Sequence, residues 1–361
     1  MADIKSLREK IDQADMKILK LVNERAKLAQ KIGKVKKDTK TEIFSPAREE
    51  EVYERIVKEN KGPLEPTALK AIYKEIMSGA KSLEKELTIS YLGPEASFTH
   101  QAAMSKFGAS VIYKPEDTIK DVFFNIEKGK SDYGVVPVEN STEGMVTYTL
   151  DMFIESNLKV CSEVMLHISH NLMVTPTAQL KNIQKIYSKA QVFGQCKAWL
   201  RNFFPKAELL EVSSTTKAAQ IVLKEKNAAA IASTLAAEMY KLNILNQAIE
   251  DNSYNVTRFL VIGKNYSKKT KKDKTSIVFL IKDKVGALYD SLKSFKKYKI
   301  NLTKIESRPS KRKAWEYYFY VDFLGHCEEK KIKEALKELE KQCVFVRILG
   351  SYPTGSLSGS L

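Results

Sequence analysis

Two short polar runs carry the residue types that could do chemistry in this chain. The first lies in Tyr133–Gly144, where an apolar stretch is followed by Glu, Asn, Ser and Thr in succession; the second is Asn255–Phe259, with a threonine beside an arginine. Ligands of α/β proteins bind at the carboxyl ends of strands. A hydroxyl group there can hand on a proton, and an arginine can hold a carboxylate. We therefore predict one site from the two runs, with an ordinary polar strand end as the alternative for the first run alone.

A long helix is predicted at the start of the chain, from Ile4 to Val35. The apolar positions of its two seven-residue registers are Ile4, Ile11, Ile18 and Ile32, and Leu7, Ala14, Leu21, Leu28 and Val35. Such a helix is about 50 Å long, and its narrow apolar seam requires a partner helix, which we expect from a second copy of the chain. Arg25 stands where the first register would have an isoleucine, which is typical of a polar residue that sets the register.

Two further helices complete an all-helical segment, residues 1–86. Ser45 and Pro46 predict a helix start, with serine as the N-cap and proline at the first helical position. This helix continues through Lys58, and a third runs from about Thr67 to Glu86. We predict no strand in this segment.

Strand and helix patterns alternate in residues 87–264, which predicts parallel α/β layers in two lobes that flank a cleft. The predicted strands are Thr88–Leu92, Asp132–Val138, Lys159–Val174, Glu208–Val212, Ala228–Ala232 and Val256–Ile262. The Lys-rich residues 265–274 are interpreted as a solvated linker rather than a nucleic-acid arm. Residues 275–354 follow the order βαββαβ, which defines a ferredoxin-like α+β unit, and the tail beyond them is expected to be flexible.

The composition limits the class of protein. The 361 residues are too many for one core, and the net charge of +16 favours anionic partners, although many lysines are scattered along helices as on a solvated surface. The four cysteines form no Cys-x-x-Cys pair, which argues against a zinc or dithiol site and fits a reducing cytoplasm. His167 and His170 would lie on opposite faces of a strand, so we predict no metal there. Neither a membrane span nor a secretory signal is predicted.

The segment Tyr91–Ala103 and the two polar runs, in this order, resemble prephenate dehydratase. The resemblance implies a two-lobed, periplasmic-binding-protein-like domain that removes carboxylate and hydroxyl from its substrate in one aromatising step. It assigns a catalytic role to Thr257, and Arg258 beside it is a natural carboxylate anchor. The other substrate-binding residues it implies are Ser97, Phe98, Thr99, Glu139, Asn140, Ser141, Ser214, Thr215 and Phe259. The alternative for residues 213–216 is an ordinary run of helix-capping residues. Gln195 and Cys196 also match the family, and Cys196 is interpreted as a packing residue.

The helical segment resembles the all-helical chorismate mutase, in which two long helices of a dimer pack together and each site borrows one arginine from the partner. The residues that carry this resemblance, and the substrate contacts it implies, are Arg8, Arg25 and Arg48 for carboxylates, Lys36 for the ether oxygen, Glu49 for the ring hydroxyl, and Glu84. Arg25 in the seam is assigned to the borrowed position. Glu84 stands where some relatives carry glutamine, and it can donate a hydrogen bond only when protonated. Ser45 and Ala80 replace the Asp and Ser of many relatives, which removes a charge and a possible hydrogen bond.

The C-terminal unit resembles the ACT domain that follows dehydratases. The two motifs that carry the resemblance, and that it assigns to phenylalanine binding, are Gly286, Ala287 and Leu288, and Glu306, Ser307, Arg308 and Pro309. A glycine before a helix lets an amino-acid backbone approach free N–H groups at the helix N-terminus. A plain packing module is the alternative.

Together these resemblances imply an enzyme that converts chorismate to prephenate and prephenate to phenylpyruvate. They imply inhibition by phenylalanine, no cofactor or metal, no nucleic-acid or membrane partner, and a homodimer or larger homo-oligomer. A first alternative is a dehydratase acting on prephenate or arogenate, with a mutase segment that serves dimerisation. A second is an effector-binding regulator that meets nucleic acid, against which the retained mutase residues and the lack of a helix-turn-helix pattern argue.

Overall fold

The computed structural model describes residues 3–39, 42–178, 182–311, 313, 315–355 and 357–358. The chain forms two compact units, one of Met1–Thr88 with Lys106–Ile112 and the other of Ile89–Ser105 with Tyr113–Leu361. No helix in the described part of the chain is long and apolar enough to cross a membrane.

The first unit contains the three predicted helices, α1 (Ile4–Thr39), α2 (Pro46–Glu59) and α3 (Pro66–Glu84). The side chain of Ser45 caps α2 by accepting a hydrogen bond from the backbone N–H of Arg48, as its sequence position predicts. A Cβ atom on Gly33 would lie 3.0 Å from the Cβ of Glu84, so the absence of a side chain at Gly33 lets α1 and α3 approach closely.

The apolar seam of α1 is exposed in the single chain. The side chains of Ile4, Ile11, Ile18 and Ile32 are 53–67% exposed. The buried or partly buried residues of α1 all lie in its second half, between Val22 and Lys36. Isolated exposed leucines and isoleucines are ordinary, but a continuous seam on one helix is typical of a helix that packs against a partner.

Two sheets form the first part of the second unit, one in each of two lobes. The first lobe contains β1 (Thr88–Leu92), α4 (Phe98–Phe107), β2 (Ile112–Glu116), α5 (Ile119–Glu127), β3 (Tyr133–Asn140), β4 (Gly144–Met145), α6 (Thr147–Glu155) and β5 (Lys159–His167). The second contains β6 (Asn171–Val174), β7 (Lys185–Ser188), α7 (Ala190–Gln195), α8 (Lys197–Phe203), β8 (Glu208–Glu211), α9 (Thr215–Val222), β9 (Ala228–Ala232), α10 (Thr234–Tyr240) and β10 (Asn243–Asn246). The chain then returns to the first sheet as β11 (Val256–Gly263).

The two chain crossings between the lobes correct two predictions. Lys159–Val174 is not one strand: β5 belongs to the first sheet and β6 to the second, with a break at residues 168–170. The first sheet is also not purely parallel, because β11 arrives from the other lobe and pairs antiparallel with both β3 and β5. β3 extends through Asn140, so the first polar run begins within the strand rather than after it.

A third sheet follows in the βαββαβ order that the sequence predicts. Its elements are β12 (Asp273–Ile281), α11 (Ala287–Lys297), β13 (Leu302–Pro309), β14 (Tyr317–Leu324), α12 (Lys330–Gln342) and β15 (Cys343–Pro353), in the sheet order β13-β14-β12-β15. We call residues 273–353 the C-terminal module. One face of its sheet packs on its helices through residues such as Phe279 and Phe295. The other face shares a core with the first sheet, where Val278 and Tyr320 belong to the same cluster as Val138 and Leu260.

This shared core changes the reading of the linker and the tail. Lys274, at the end of the predicted solvated linker, has a side chain only 14% exposed and forms an ion pair with Glu163 of β5. The predicted flexible tail also returns to the first sheet, because β16 (Leu357–Ser358) pairs with β5. The module is therefore packed against the first lobe and not merely tethered to it.

Candidate active sites

The two polar runs meet at the ends of β3 and β11, where Thr257 is directly opposite Asn140. Nδ2 of Asn140 donates a hydrogen bond of 2.7 Å to Oγ1 of Thr257, whose residue is 8% exposed. Since the threonine oxygen accepts this bond, its own O–H hydrogen is directed away from the Asn140 amide. The predicted pairing of the two runs is confirmed at the level of the strands and this hydrogen bond.

Asn140 is held in one orientation by the loop that follows it. Its Oδ1 accepts from the backbone N–H groups of Thr142 and Glu143, at 2.9 and 3.0 Å. Its Nδ2 also donates to Oδ1 of Asn255, at 2.8 Å. Because donors and acceptors of this amide are all engaged, the N–H that reaches Thr257 has a fixed direction.

Two residues that the sequence analysis did not assign, Gln195 and His170, extend this network into the second lobe. Oε1 of Gln195 lies 2.7 Å from Nε2 of His170 and accepts from Nδ2 of Asn255 at 3.4 Å. Burial lowers the pKa of His170, so its ring is neutral at neutral pH. A neutral ring that donates from Nε2 has an acceptor at Nδ1, and this buried atom has no partner among the described residues.

A signal for these residues was present in the sequence but ambiguous. The pair Gln195 and Cys196 matched a family pattern without an assigned role, and His170 was considered only as half of a metal pair with His167. His170 lies in the network because the chain breaks between β5 and β6. The alternating pattern of residues 159–174 gives no sign of this break.

The third predicted wall, residues 97–99, reaches the network through one ring. The ring of Phe98 lies edge-on to His170, with centroids 5.6 Å apart. The hydroxyl of Ser97 is used locally, donating to the carbonyl of Leu92 and accepting from the backbone of His100, and Thr99 is buried. His100 accepts a hydrogen bond from the backbone N–H of Ala96, and burial lowers the pKa of its ring.

The remaining predicted residues of this site make structural contacts. The hydroxyl of Ser141 donates to the carbonyl of Tyr254 and accepts from the backbone of Val256, which ties the two strand ends together. Ser214 is the N-cap of α9, and Thr215 and Phe259 are buried. Their assignment to substrate stays a prediction.

Arg258 does not lie on the side of Thr257. Neighbouring residues of a strand point to opposite faces, and the guanidinium of Arg258 faces the C-terminal module. It donates to Glu163 at 2.8 Å, to Asp322, and to the hydroxyl of Tyr352 at 2.9 Å. The carboxylate of Glu139 likewise accepts from Lys304 of the module, at 2.8 Å. The sequence-based role of Arg258 as a substrate anchor conflicts with these contacts.

In the helical unit, Lys36 and Glu84 form the centre of a second candidate site. Nζ of Lys36 lies 3.2 Å from Oε2 of Glu84 and donates to the carbonyl of Ile43 at 3.0 Å. Arg25 donates to the carbonyl of Ile76 in the same chain, at 3.4 Å. Glu84 therefore accepts a hydrogen bond here, whereas the predicted role would require it to donate one.

Glu49 has a partner that the sequence analysis missed. Its buried carboxylate pairs with Lys81 at 2.7 Å and lies 3.7 Å from Lys106. Nζ of Lys81 also lies over the ring of Phe44, 5.2 Å from its centroid. Lys81 comes three residues before Glu84 and so faces the same side of α3, which is the signal that could have identified it.

The predicted arginines are spread over the unit. Arg48 is exposed and pairs with Glu51, at 2.8 Å. Arg8 lies in the exposed first half of α1, about 42 Å from Lys36 at 1.5 Å per residue. One ligand cannot span that distance, so Arg8 and Lys36 of the same chain cannot hold the same molecule.

The two motifs of the C-terminal module lie at the start of α11 and along β13. Gly286 is the N-cap of α11 with φ +75°, a conformation that favours glycine. Ala287 is buried, and Leu288 packs against the core of the module. In β13, Ser307 pairs with Phe319, which belongs to the helix-facing core. Arg308, on the other face, makes two hydrogen bonds of 3.0 Å to Asp151 of α6. Glu306 lies on the same face as Arg308, and Pro309 ends the strand and is exposed.

These features define a two-site enzyme, and comparisons with known proteins identify its class. Residues 7–85 match the family model for chorismate mutase type II, and residues 89–267 match that for prephenate dehydratase. A bifunctional chorismate mutase/prephenate dehydratase of Aquifex aeolicus is 49% identical over 99% of both chains, and one of Pseudomonas aeruginosa is 44% identical over 99% of this chain and 100% of its own. A crystal structure of prephenate dehydratase in complex with L-Phe, from Arthrobacter aurescens, is 32% identical and superposes with a TM-score of 0.69 over 74% of this chain and 90% of its own.

The chain belongs to the bifunctional chorismate mutase/prephenate dehydratase family. It is an enzyme of phenylalanine biosynthesis that converts chorismate to prephenate and prephenate to phenylpyruvate.

Proposed function

We propose that dehydration of prephenate takes place at the ends of β3 and β11, with Thr257 as the group that handles the proton. As carbon dioxide leaves, its bonding electrons enter the ring and the ring hydroxyl departs, which requires a proton at the departing oxygen. A threonine hydroxyl is too weak an acid to supply that proton alone, so it orients or relays one. The observation that carries this proposal is the Asn140 to Thr257 hydrogen bond, since it leaves the threonine proton directed away from Asn140.

Gln195, Asn255 and Phe98 complete the proposed dehydratase site, in addition to the predicted residues on its cleft side. Their amide and ring contacts connect the two lobes around Thr257. The unpartnered Nδ1 of His170 offers an acceptor in the same network. We do not retain Arg258 as a substrate anchor.

For the mutase reaction, we propose catalysis by clamping and charge stabilisation. The rearrangement of chorismate is pericyclic, so the protein must hold the reactive conformer and stabilise negative charge on the ether oxygen as its bond breaks. Lys36 is the donor to that oxygen, and Arg25 and Arg48 are the candidates for the carboxylates. Glu49 is the acceptor for the ring hydroxyl, oriented by Lys81.

The missing cation of the mutase site comes, in this proposal, from a second copy of the chain. If two α1 helices pack antiparallel about their midpoints, Arg8 of one copy lies opposite Val35 of the other, next to Lys36. Arg25 of the partner would lie opposite Ile18, about 27 Å from Lys36 at 1.5 Å per residue. The borrowed residue is therefore Arg8, not Arg25 as the sequence suggested. The exposed seam of α1 is the proposed contact surface of the homodimer.

We propose that the C-terminal module is an ACT domain of ferredoxin-like fold that binds phenylalanine and inhibits the dehydratase. Its element order and sheet order support this assignment, and the related Arthrobacter enzyme is described in complex with L-Phe. Gly286 leaves the N-terminus of α11 open, because among the described residues none beyond its chain neighbours has an atom within 4 Å of a Cβ placed there. The effector then contacts Gly286–Leu288 and the helix-facing side of β13 at Ser307, whereas Arg308 on the opposite face connects that strand to the first lobe.

The decisive experiment gives chorismate to the purified full chain and follows prephenate and phenylpyruvate with and without phenylalanine. We expect prephenate to appear and then to be consumed, with phenylpyruvate formation suppressed by phenylalanine. Phenylpyruvate from prephenate but no turnover of chorismate would favour the alternative in which Ser45 and Ala80 reflect a mutase segment that only dimerises. Faster turnover of arogenate than of prephenate would change the assigned substrate.

A further inference from the structure

The ends of β3 and β11 present two neighbouring cross-strand pairs to opposite faces of the sheet. Thr257 is opposite Asn140 and faces the cleft, and Arg258 is opposite Glu139 and faces the C-terminal module. Thr257 is therefore the chain neighbour of Arg258, and Asn140 is the chain neighbour of Glu139. A shift of either charged side chain moves the backbone that carries its catalytic neighbour.

The charged pair is held by residues of the module. Arg258 makes hydrogen bonds to Asp322 of β14 and Tyr352 of β15, and Glu139 accepts from Lys304 of β13. Arg258 also bonds to Glu163 of β5, which Lys274 of β12 neutralises at 2.8 Å. The six charged groups of this cluster, three of each sign, are Arg258, Lys274, Lys304, Glu139, Glu163 and Asp322.

Asp322 is ionised in this arrangement. Burial alone would raise its pKa, but the adjacent Arg258 and the hydroxyl of Ser276 outweigh burial and hold the pKa below its ordinary value. A buried arginine whose carboxylate partner is removed must move or draw in water, because an unpaired buried charge is strongly unfavourable.

The cavity that the described residues form beside Arg258 is too small for substrate. The cavity that borders Arg258, Lys304 and Asp322 has a volume of about 20 Å³, enough for one water molecule. Binding pockets for small molecules are larger by about an order of magnitude or more. All three nitrogen positions of the guanidinium are also occupied by protein acceptors.

We infer that Arg258 and Glu139 are positioning residues of the dehydratase site, and that Asp322 and Lys304 of the C-terminal module hold them in place. The module is thus a structural part of the site that makes phenylpyruvate, in addition to any effector binding. The inference rests on the proposed role of Thr257. It concerns the intact chain, in which Arg258 is buried.

The test compares single variants of the full chain with prephenate as substrate. Asp322→Asn keeps the size of the side chain and removes its charge. We expect kcat to fall about 10- to 100-fold, as for a small displacement of a catalytic group, with KM changed by less than about 3-fold because no substrate contact is lost. Arg258→Met should show the same division between kcat and KM. The double variant should be no slower than the slower single variant, because both remove one interaction.

Arg347→Met is the matched control. Arg347 also connects the module to the first lobe, donating to the carbonyls of Phe153, Ile154 and Ser156, and none of these three acceptors belongs to β3 or β11. This variant should lower the melting temperature and keep kcat. The melting transition of the second unit shows whether each variant is folded there, since mutase activity reports on the helical unit alone. If Asp322→Asn does not fold, Lys304→Met removes the pair with the half-exposed Glu139 together with a hydrogen bond to the sulfur of Met145. It should lower kcat in the same way but less.

Two results would overturn the inference. A KM for prephenate raised about 10-fold or more in Arg258→Met, with kcat kept, would make Arg258 a substrate anchor. The module does not position the site if Asp322→Asn has the same kcat as the control Arg347→Met. Lys304→Met replaces Asp322→Asn in this comparison if the latter does not fold. A wild-type rate for Thr257→Val would instead refute the role of Thr257, and a slow Thr257→Val beside a fast Asp322→Asn would refute only the coupling.

Discussion

Replacing Thr257 by valine removes one hydroxyl group from the end of β11 and leaves the shape of the side chain almost unchanged. In the folded chain that hydroxyl oxygen accepts one N–H of Asn140, whose other N–H is bonded to Asn255. One amide hydrogen therefore loses its partner, which costs about 1–2 kcal/mol at a partly buried position. Domains are stable by about 5–15 kcal/mol, so we expect the variant to remain folded.

The expected effect of Thr257→Val on catalysis is larger. A positioned proton-handling group contributes about 10²-fold or more to a rate, which corresponds to about 2.7 kcal/mol of activation free energy. We expect kcat for phenylpyruvate formation to fall by at least that factor. Thr257→Ser is the control, because it keeps the hydroxyl and should stay within about 10-fold of the wild type.

The mutase reaction of the same chain provides an internal reference. It should be unchanged in Thr257→Val, since its residues lie in the helical unit. Dehydratase turnover within about 3-fold of the wild type would exclude a proton-handling role. Equal losses of both activities would show that the substitution acts through folding.

Three further outcomes are expected. Arg8→Ala and Arg25→Ala should each abolish mutase turnover. Refolding the two variants together should restore up to about a quarter of the wild-type activity, because half of the dimers are mixed and each mixed dimer has one complete site of two. If subunits exchange and no activity returns, the shared site is refuted. Glu84→Gln supplies an amide donor at neutral pH and should raise mutase turnover by up to about 10-fold. A fall in mutase turnover of similar size would show that the reaction needs the carboxylate charge. Gly286→Val should abolish inhibition by phenylalanine and lower the stability of the fold by about 1–2 kcal/mol of backbone strain. Gly129→Val is the control, because Gly129 has φ +70° and equally open surroundings. It should cost a comparable strain and keep the inhibition.

The sequence was sufficient for features that depend on local pattern. The seven-residue repeat predicts α1 to within four residues of its end, and Ser45 with Pro46 predicts the first turn of α2. The order of elements in the C-terminal module also follows from pattern, because each strand and helix has its own apolar period. These predictions are confirmed because they depend only on residues that are close together in the sequence.

Features that depend on contacts far apart in the chain were not accessible. The break between β5 and β6 is hidden, because two consecutive strands in different sheets have the same alternation as one long strand. The spacing of Lys81 and Glu84 places both on one side of α3, but the pairing of Lys81 with Glu49 of α2 depends on how the two helices pack. The buried position of Lys274 was missed for the same reason. A lysine in a Lys-rich stretch is predicted to be solvated, and only the fold shows that Glu163 lies beside it.

Two of the sequence motifs are divided in the structure for one physical reason. A motif is a continuous run, but a strand divides such a run between two faces. Thr257 faces the cleft and Arg258 the module, and in β13 Ser307 lies on the helix-facing side while Arg308 reaches Asp151. In each case the second residue of the motif makes the contact between module and lobe, and its neighbour lies on the other face of the strand.

The same division suggests how an effector site on the module could influence the cleft. Movement of β13 on binding of an effector near Ser307 would be felt at Arg308 and Lys304, which lie on the opposite face and bond to Asp151 and Glu139 of the first lobe. Lys304 of β13 bonds to Glu139, which is the chain neighbour of Asn140, and Asn140 donates to Thr257. An effector can change turnover only by its difference in affinity for two arrangements of these contacts. Lys304→Met should therefore weaken inhibition as well as lower kcat, because it removes one of the links through which the two arrangements differ.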